Sequence, residues 1–180
     1  GGKAVSDMGR RLGLEPRFVD GLRVTDGETM RVAQQVQIGG ISRDIVAAIG
    51  RRGGRAIGLS GHDSGGWLRG AARAHTSRET GKPVDLGRVG DVTRVDAGVL
   101  RGVIGAGLIP VVAPVAVDDA YESLNVNADS VATAVASALK AHKLIFLTDV
   151  AGVRGPDGEV VAEVDRSSLA AWIHDGTVAG

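Results

Sequence analysis

Apolar residues in the first third of the chain return at helical spacing. Val5, Met8 and Leu12 fall on one face and Gly13 follows as a stop, so a short first helix is predicted, although Gly9 within it costs about 1 kcal/mol relative to alanine. Asp20-Gly21, set between Phe18-Val19 and Leu22-Arg23-Val24, predicts a tight hairpin with Arg23 near its end. Thr25 and Glu28 have the spacing of a capping box. Met30, Ala33 and Val36, then Ile41, Ile45 and Ile49, continue at helical period, which predicts a long helix interrupted near Gly39-Gly40.

Short apolar runs then alternate with helical patterns. Ala56–Leu59 reads as a buried strand, Gly61 to Gly66 as a turn, and Val89, Val92 and Val95 as apolar positions in hairpin-like polar segments. Asp96 is placed to cap a helix through Ile104. Leu108 to Val115 reads as a core strand, Asp129 to Leu139 as an alanine-rich helix, and Leu144 to Leu147 as another buried strand. Such alternation predicts an α/β protein with a mostly parallel sheet, whose ligands sit beyond the carboxyl ends of the strands. No linker, repeat or low-complexity run divides the chain.

Composition narrows the chemistry. With 43% hydrophobic residues the chain can fill a core, and 21 basic residues against 21 acidic ones leave no basic footprint for nucleic acid or a membrane surface. Small molecules and copies of itself are the expected partners. Cysteine is absent, which removes thiol nucleophiles, zinc thiolates and disulfides and fits a cytoplasmic location. Apolar stretches are far shorter than the roughly 20 residues needed to span a bilayer, and no signal peptide is visible. The chain begins with Gly1-Gly2 instead of Met, so it is expected to be part of a longer protein.

Several motifs fail on inspection. Gly81-Lys82 is followed by Pro83, which rules out a phosphate-binding P-loop, and Gly102, Gly105 and Gly107 have the wrong order for a dinucleotide fingerprint. Ser60 lacks a nucleophile-elbow context, and His62 and His75 are too far apart for a helical metal pair. No metal ligand is assigned.

Four segments invite a binding reading beside a plain structural one. Gly1-Gly2 is either a simple turn or a helix start whose bare amides meet an anionic oxygen. Arg23 is either a solvated charge or a carboxylate fork. In Ser123-Leu124-Asn125-Val126-Asn127-Ala128-Asp129, capping explains one polar residue but not three; Asn125 and Asn127, two apart in an extended stretch, point the same way. Thr148 and Asp149 end an apolar run either as a hairpin or as nucleotide contacts, with Gly152 permitting close backbone approach.

Taken in order, these segments resemble the amino-acid kinase family, and within it the branch acting on N-acetylglutamate. Gly1-Gly2 is similar to the end of that family's glycine turn, and Phe18 to Asp26 to its substrate-lid and arginine segment. The similarity continues through Ala56–Gly61, Gly87–Val92, Ile109–Pro114, Asn125–Asp129 and Leu147–Val153, essentially the whole chain. The resemblance implies a three-layer α/β/α sandwich with a mostly parallel open sheet, incomplete at both ends. It implies one partial domain over 1–180, with 1–120 mainly binding N-acetylglutamate and 121–180 beginning the ATP-binding part.

The implied reaction transfers the γ-phosphoryl group of ATP, with Mg²⁺, to the γ-carboxylate of N-acetylglutamate in arginine biosynthesis. By resemblance, Gly1 and Gly2 hold the reacting carboxylate, Arg23 and Asn125 hold the α-carboxylate and acetamide end, and Asn127 supports them. Asp129 orients catalytic lysines, while Thr148, Asp149, Val150, Ala151, Gly152, Val153 and Arg154 line the ATP site. A homo-oligomer is implied for the full-length protein. The family's Lys-x-Gly-Gly strand and Gly-Met-x-x-Lys segment have no counterpart in these 180 residues. The alternatives are a non-catalytic amino-acid-binding domain of the same fold and a kinase for another amino-acid carboxylate.

Overall fold

The computed structural model describes residues 1–148 and 150–178, which form two units, Gly1–Leu144 and Ile145–Gly180. In the first unit, helix α1 (Gly2–Arg11) buries Val5 and Gly9 and ends where Gly13 takes a positive φ of 80°. The stop predicted at that glycine is therefore real. Strands β1 (Phe18–Val19) and β2 (Leu22–Arg23) pair antiparallel around Asp20 (φ 49°) and Gly21 (φ 81°), the two left-handed residues that a type I′ hairpin requires.

The long helix is interrupted by a widened, underwound turn and not by a break. Helix α2 (Gly27–Gln34) runs into a π-helical turn over Gln35–Ile41, which contains Gly39-Gly40, and continues as α3 (Ser42–Gly50). The predicted cap moves by one residue, and of the box only the N-cap bond is seen among the described residues. Asp26, not Thr25, caps α2 by accepting from the Thr29 N–H at 2.8 Å, because the Thr25 hydroxyl is buried and donates to Arg23 O at 3.0 Å.

Strand β3 (Ala56–Leu59) pairs in parallel with β8 (Ile109–Val112), in register from Ala56 opposite Ile109 to Leu59 opposite Val112. The stretch predicted as one strand from Leu108 to Val115 is two. Pro114 has no N–H to carry a ladder onward and the Val115 N–H turns back to Ala113 O at 2.8 Å, so β9 (Val115–Val117) leaves for another sheet. There it joins β4 (Leu68–Ala72), β7 (Val89–Val95) and β10 (Ser123–Val126) in a closed four-stranded barrel. Closure is made where Arg69 of β4 meets Val117 of β9.

Strands β5 (His75–Thr76) and β6 (Pro83–Val84) form a second small hairpin. Among the described residues the strands form small sheets of mixed direction: β3–β8, β7–β10 and β4–β9 are parallel, while β4–β7 and β9–β10 are antiparallel. Sequential strands joined by short turns fold back on each other, whereas parallel pairing needs a crossover. The alternation of patterns identified the class without the sheet order.

Helices α4 (Ala97–Gly105) and α5 (Ala128–Leu139) supply the outer layer of the main core, where Leu100 and Val131 pack with Trp67, Leu68, Ala116, Leu124 and Val126. As predicted, Asp96 caps α4, accepting from the Gly98 N–H at 2.9 Å. A second core joins Val5 of α1, Met30 and Ala33 of α2 and Val115 of β9, with Val36 and Ile38 of the π turn against it. The buried indole of Trp67 donates to Ser60 O at 2.7 Å, which fixes Ser60 as a turn residue.

In the second unit, Arg154 and Val160 form an antiparallel bridge, and helix α6 (Arg166–His174) is capped by Asp165. The strand predicted at Leu144–Leu147 is absent; Leu147 is 97% exposed. An extended apolar run becomes a strand only when another backbone pairs with it, and no described segment does so here.

Gly87, at φ 68°, lies in a turn where an added Cβ would strike Thr25 O. Gly87→Ala is expected to cost about 2 kcal/mol from its left-handed backbone, before any clash. Urea unfolding followed by circular dichroism checks this; an unshifted midpoint would show that the turn relaxes freely.

Candidate functional site

A cavity of about 320 Å³ opens in the first unit where α1, the β1–β2 hairpin, the π turn and the end of β10 converge. All five residues singled out for substrate binding, Gly1, Gly2, Arg23, Asn125 and Asn127, line it. They come from opposite ends of the unit's sequence, so their meeting is a product of the tertiary fold.

Helix α1 starts from Gly1 with no side-chain cap, so the first-turn N–H groups and the positive end of the helix dipole are left at the cavity. Arg23 stands beside them. Its Nη2 donates to Gly2 O at 2.9 Å and to Ser6 Oγ at 2.8 Å, and its guanidinium stacks on Phe18, its cross-strand partner, 4.7 Å from the ring centroid. Burial, and after it the charge of Arg10, lowers the Arg23 pKa, yet a guanidinium stays charged. A positive group with reduced hydration beside bare helix amides is an anion-binding arrangement.

Asn125 Nδ2 donates to Thr25 Oγ1 at 3.3 Å, and that hydroxyl donates to Arg23 O. Thr25 is completely buried and its backbone is equally engaged: its N–H reaches Leu86 O at 2.9 Å and its carbonyl accepts from the Arg88 N–H at 2.6 Å. The Asn125 N–H in turn donates to Arg88 O at 2.7 Å. Arg23 and Asn125, about a hundred residues apart in sequence, are thereby set relative to each other through one threonine.

Asn127 takes the capping role that its sequence context left open, and its place at the cavity keeps the other reading in view. Its Oδ1 caps α5, accepting from the Ser130 N–H at 2.9 Å, and the residue also lines the cavity. Asp129 lies in the first turn of α5 with an exposed side chain, outside the lining. The cavity also contains two residues that the motif reading passed over, Gln37 and Arg73. Arg73 is held by Asp91 through Nε at 2.9 and 3.0 Å and through Nη2, and this bonding raises its pKa. Gln37 carried one usable signal, a polar residue between the apolar Val36 and Ile38; Arg73 carried none.

The hairpin bearing Arg23 is anchored at its tip. The Asp20 carboxylate accepts from the Arg78 N–H at 2.8 Å and meets His75 Nε2 at 2.7 Å, which ties the hairpin to the β5 region.

The residues assigned to nucleotide binding belong to the second unit. Thr148 Oγ1 accepts from the Val150 N–H at 3.4 Å, and Arg154 Nη1 donates to Gly158 O at 2.7 Å. Gly152 has φ 153°, and an added Cβ would stand 2.8 Å from Val160 Cγ1, so glycine is required there. Ala151 and Val153 are exposed, and Asp149 lies outside the described residues.

Comparison with known proteins identifies relatives. The model of the amino acid kinase family matches residues 1–179. An acetylglutamate kinase of Symbiobacterium thermophilum is 48% identical over all of this chain, and one of Methanothrix thermoacetophila is 45% identical. The chain spans 62% and 63% of those two proteins, respectively. Among solved structures, smu.665 from Streptococcus mutans UA159 superposes with a TM-score of 0.81 at 26% identity, over 99% of this chain and 69% of that one. An N-acetylglutamate synthase of Neisseria gonorrhoeae, complexed with coenzyme A and N-acetyl-glutamate, superposes with a TM-score of 0.65 at 27% identity, over 88% of this chain and 34% of that one.

Thr25→Val, which keeps the shape but removes the hydroxyl, is expected to cost about 1–3 kcal/mol by leaving buried polar groups unpaired. Denaturant unfolding at neutral pH measures it, and a loss well below that range would mean that Asn125 finds another acceptor.

The Asp20 carboxyl is held below its ordinary value of 3.8, first by the Arg78 N–H and then by His75. Its contribution is fully present above pH 3.8 and lost as pH falls through the lower folded-state value. Asp20→Asn, which tolerates the left-handed backbone, is expected to flatten that acid limb in unfolding midpoints taken between about pH 2 and 5. An unchanged limb would remove Asp20 from the account.

Proposed function

We propose that this chain, which belongs to the amino acid kinase family, supplies the N-acetylglutamate site of an enzyme that transfers the γ-phosphoryl group of ATP to that substrate's γ-carboxylate. The observation that carries the reading is the convergence of Gly1, Gly2, Arg23, Asn125 and Asn127 on one cavity, in a chain 48% identical to an acetylglutamate kinase. Such an enzyme belongs to arginine biosynthesis in the cytoplasm, and as a full-length protein it assembles into a homo-oligomer.

A carboxylate is already a nucleophile, so the acceptor needs no general base. The residues of the cavity therefore act by holding and aligning it. Amides at the start of α1 receive the γ-carboxylate. Both Arg23 hydrogen bonds described above use Nη2, so its Nε and Nη1 edge is assigned to the α-carboxylate, with Asn125 at the acetamide end and Asn127 supporting the floor.

ATP with Mg²⁺ supplies the phosphoryl group, its negative charge offset by the metal. Thr148, Val150, Ala151, Gly152, Val153 and Arg154 are assigned to the nucleotide, with Asp149 alongside on sequence grounds, and the glycine at 152 keeps side-chain bulk away from that backbone. Asp129 is assigned to orienting the catalytic lysines. Residues 1–120 mainly bind N-acetylglutamate and 121–180 begin the ATP-binding part, the cavity borrowing Asn125 and Asn127 across that boundary. The parallel β3–β8 pair is read as belonging to an open, mostly parallel sheet of a three-layer α/β/α sandwich.

A second reading is favoured by the likeness to N-acetylglutamate synthase, a protein that is not named as a kinase. In it the chain binds the acylated amino acid without phosphoryl transfer. Calorimetry with N-acetylglutamate, joined to a coupled ADP assay in ATP and Mg²⁺, separates the two: binding with turnover supports the kinase, binding without turnover the alternative, and no binding refutes both. Arg23→Ala is expected to weaken N-acetylglutamate binding about 10- to 100-fold, the range of a lost charge-assisted hydrogen bond. Asp129→Ala is expected to lower turnover with binding preserved. Unchanged constants for both variants would overturn these assignments.

A further inference from the structure

Gln37 Oε1 is buried and has no hydrogen-bond partner among the described residues. Among its neighbours in the cavity, Arg23 Nη2 is met by Gly2 and Ser6, Asn127 Oδ1 by Ser130, and Asn125 Nδ2 by Thr25. A buried carbonyl without a donor costs free energy that folding does not return, so its persistence calls for a physical reason.

The position of Gln37 supplies one. It belongs to the π turn, a helical irregularity that recurs at functional sites, and Val36 and Ile38 on either side pack against the second core. The backbone of Gln37 is therefore held while its side chain lines the cavity. A Cβ built on Gly1 would stand 4.0 Å from Gln37 Nε2, which sets the amide alongside the start of α1.

The unmet group is an acceptor, and that selects what can meet it. N-acetylglutamate presents two carboxylates and an amide carbonyl, all acceptors, and a single donor, its amide N–H. We propose that Gln37 is a specificity-determining residue whose Oε1 accepts a hydrogen bond from the amide N–H of the N-acylated amino acid in this cavity. The assignment rests on reading the cavity as the N-acetylglutamate site. It adds a group that tells an N-acyl substrate from its ester or carbon analogue, which Arg23 and the α1 amides, facing carboxylates, do not distinguish.

The test is calorimetry on the whole chain with N-acetylglutamate and with the O-acetyl ester of 2-hydroxyglutarate, which lacks only the N–H. The wild-type protein is expected to prefer N-acetylglutamate by about tenfold or more, the worth of a buried acceptor satisfied or left unpaired. Gln37→Met, of similar shape without the acceptor, should bind N-acetylglutamate about tenfold more weakly and the ester unchanged, bringing the ratio near one. Gln37→Leu makes the same removal should methionine prevent folding.

Without ligand, either variant should melt no lower than wild type, since an unpaired buried acceptor has been deleted. Equal weakening toward both ligands, no weakening, or a lowered ligand-free Tm with the ratio intact would overturn the proposal. Wild-type protein that binds neither ligand refutes the reading of the cavity and this assignment together. Binding that is lost in Arg23→Ala but indifferent to Gln37→Met or Gln37→Leu overturns this assignment alone.

Discussion

The hydrogen bonds of Thr25 are the constraint on which the shape of the cavity depends. A fully buried threonine has three polar groups to satisfy, and here the N–H and the carbonyl hold the segment on either side of Gly87 through Leu86 and Arg88, while the hydroxyl meets Arg23 O and Asn125 Nδ2. Because leaving any one unmade costs the full desolvation of its partner, the hairpin, the turn around Gly87 and the end of β10 cannot shift independently. The apolar cores bring these segments near one another without direction. The threonine gives them a register.

This division of labour extends over the unit. The main core, built on Trp67, Leu68, Leu100 and Leu124, closes the barrel and seats α4 and α5. The smaller core of Val5, Met30, Ala33 and Val115 brings α1 and α2 onto β9, and in doing so delivers a helix start and a hairpin arginine to the same cavity. Arg23 is then oriented by hydrogen bonds to Gly2 and Ser6 on one edge and by the Phe18 ring beneath. An arginine shared by an apolar ring and a helix N-terminus keeps its charge and is held in one orientation at the cavity.

Local rules were readable wherever the competing interactions were also local. The Asp20-Gly21 turn, the stop at Gly13 and the Asp96 cap all depend on a few neighbouring residues and took the predicted form. Thr25 defeated its capping rule because its buried hydroxyl is engaged both by Arg23 O and by Asn125, a hundred residues away, which left Asp26 to cap α2. Leu144–Leu147 has the composition of a strand but lacks a backbone to pair with among the described residues, and Pro114 divides what periodicity joined. The β4–β9 closure of the barrel has no signature in either strand.

For the cavity, the sequence alone determined which residue types were available and in what order: bare glycines opening a helix, an arginine on a hairpin, two amides spaced by two before an alanine-rich helix. Those features carried the family resemblance, because backbone geometry at a glycine turn or a helix cap is encoded within a few residues. Only the tertiary structure decided that these segments share one cavity, that Thr25 joins Arg23 to Asn125, and that the Gln37 amide stands among them with its oxygen unpaired. The physical reason is that burial and hydrogen-bond satisfaction are properties of the whole packed unit, so no window of sequence contains them.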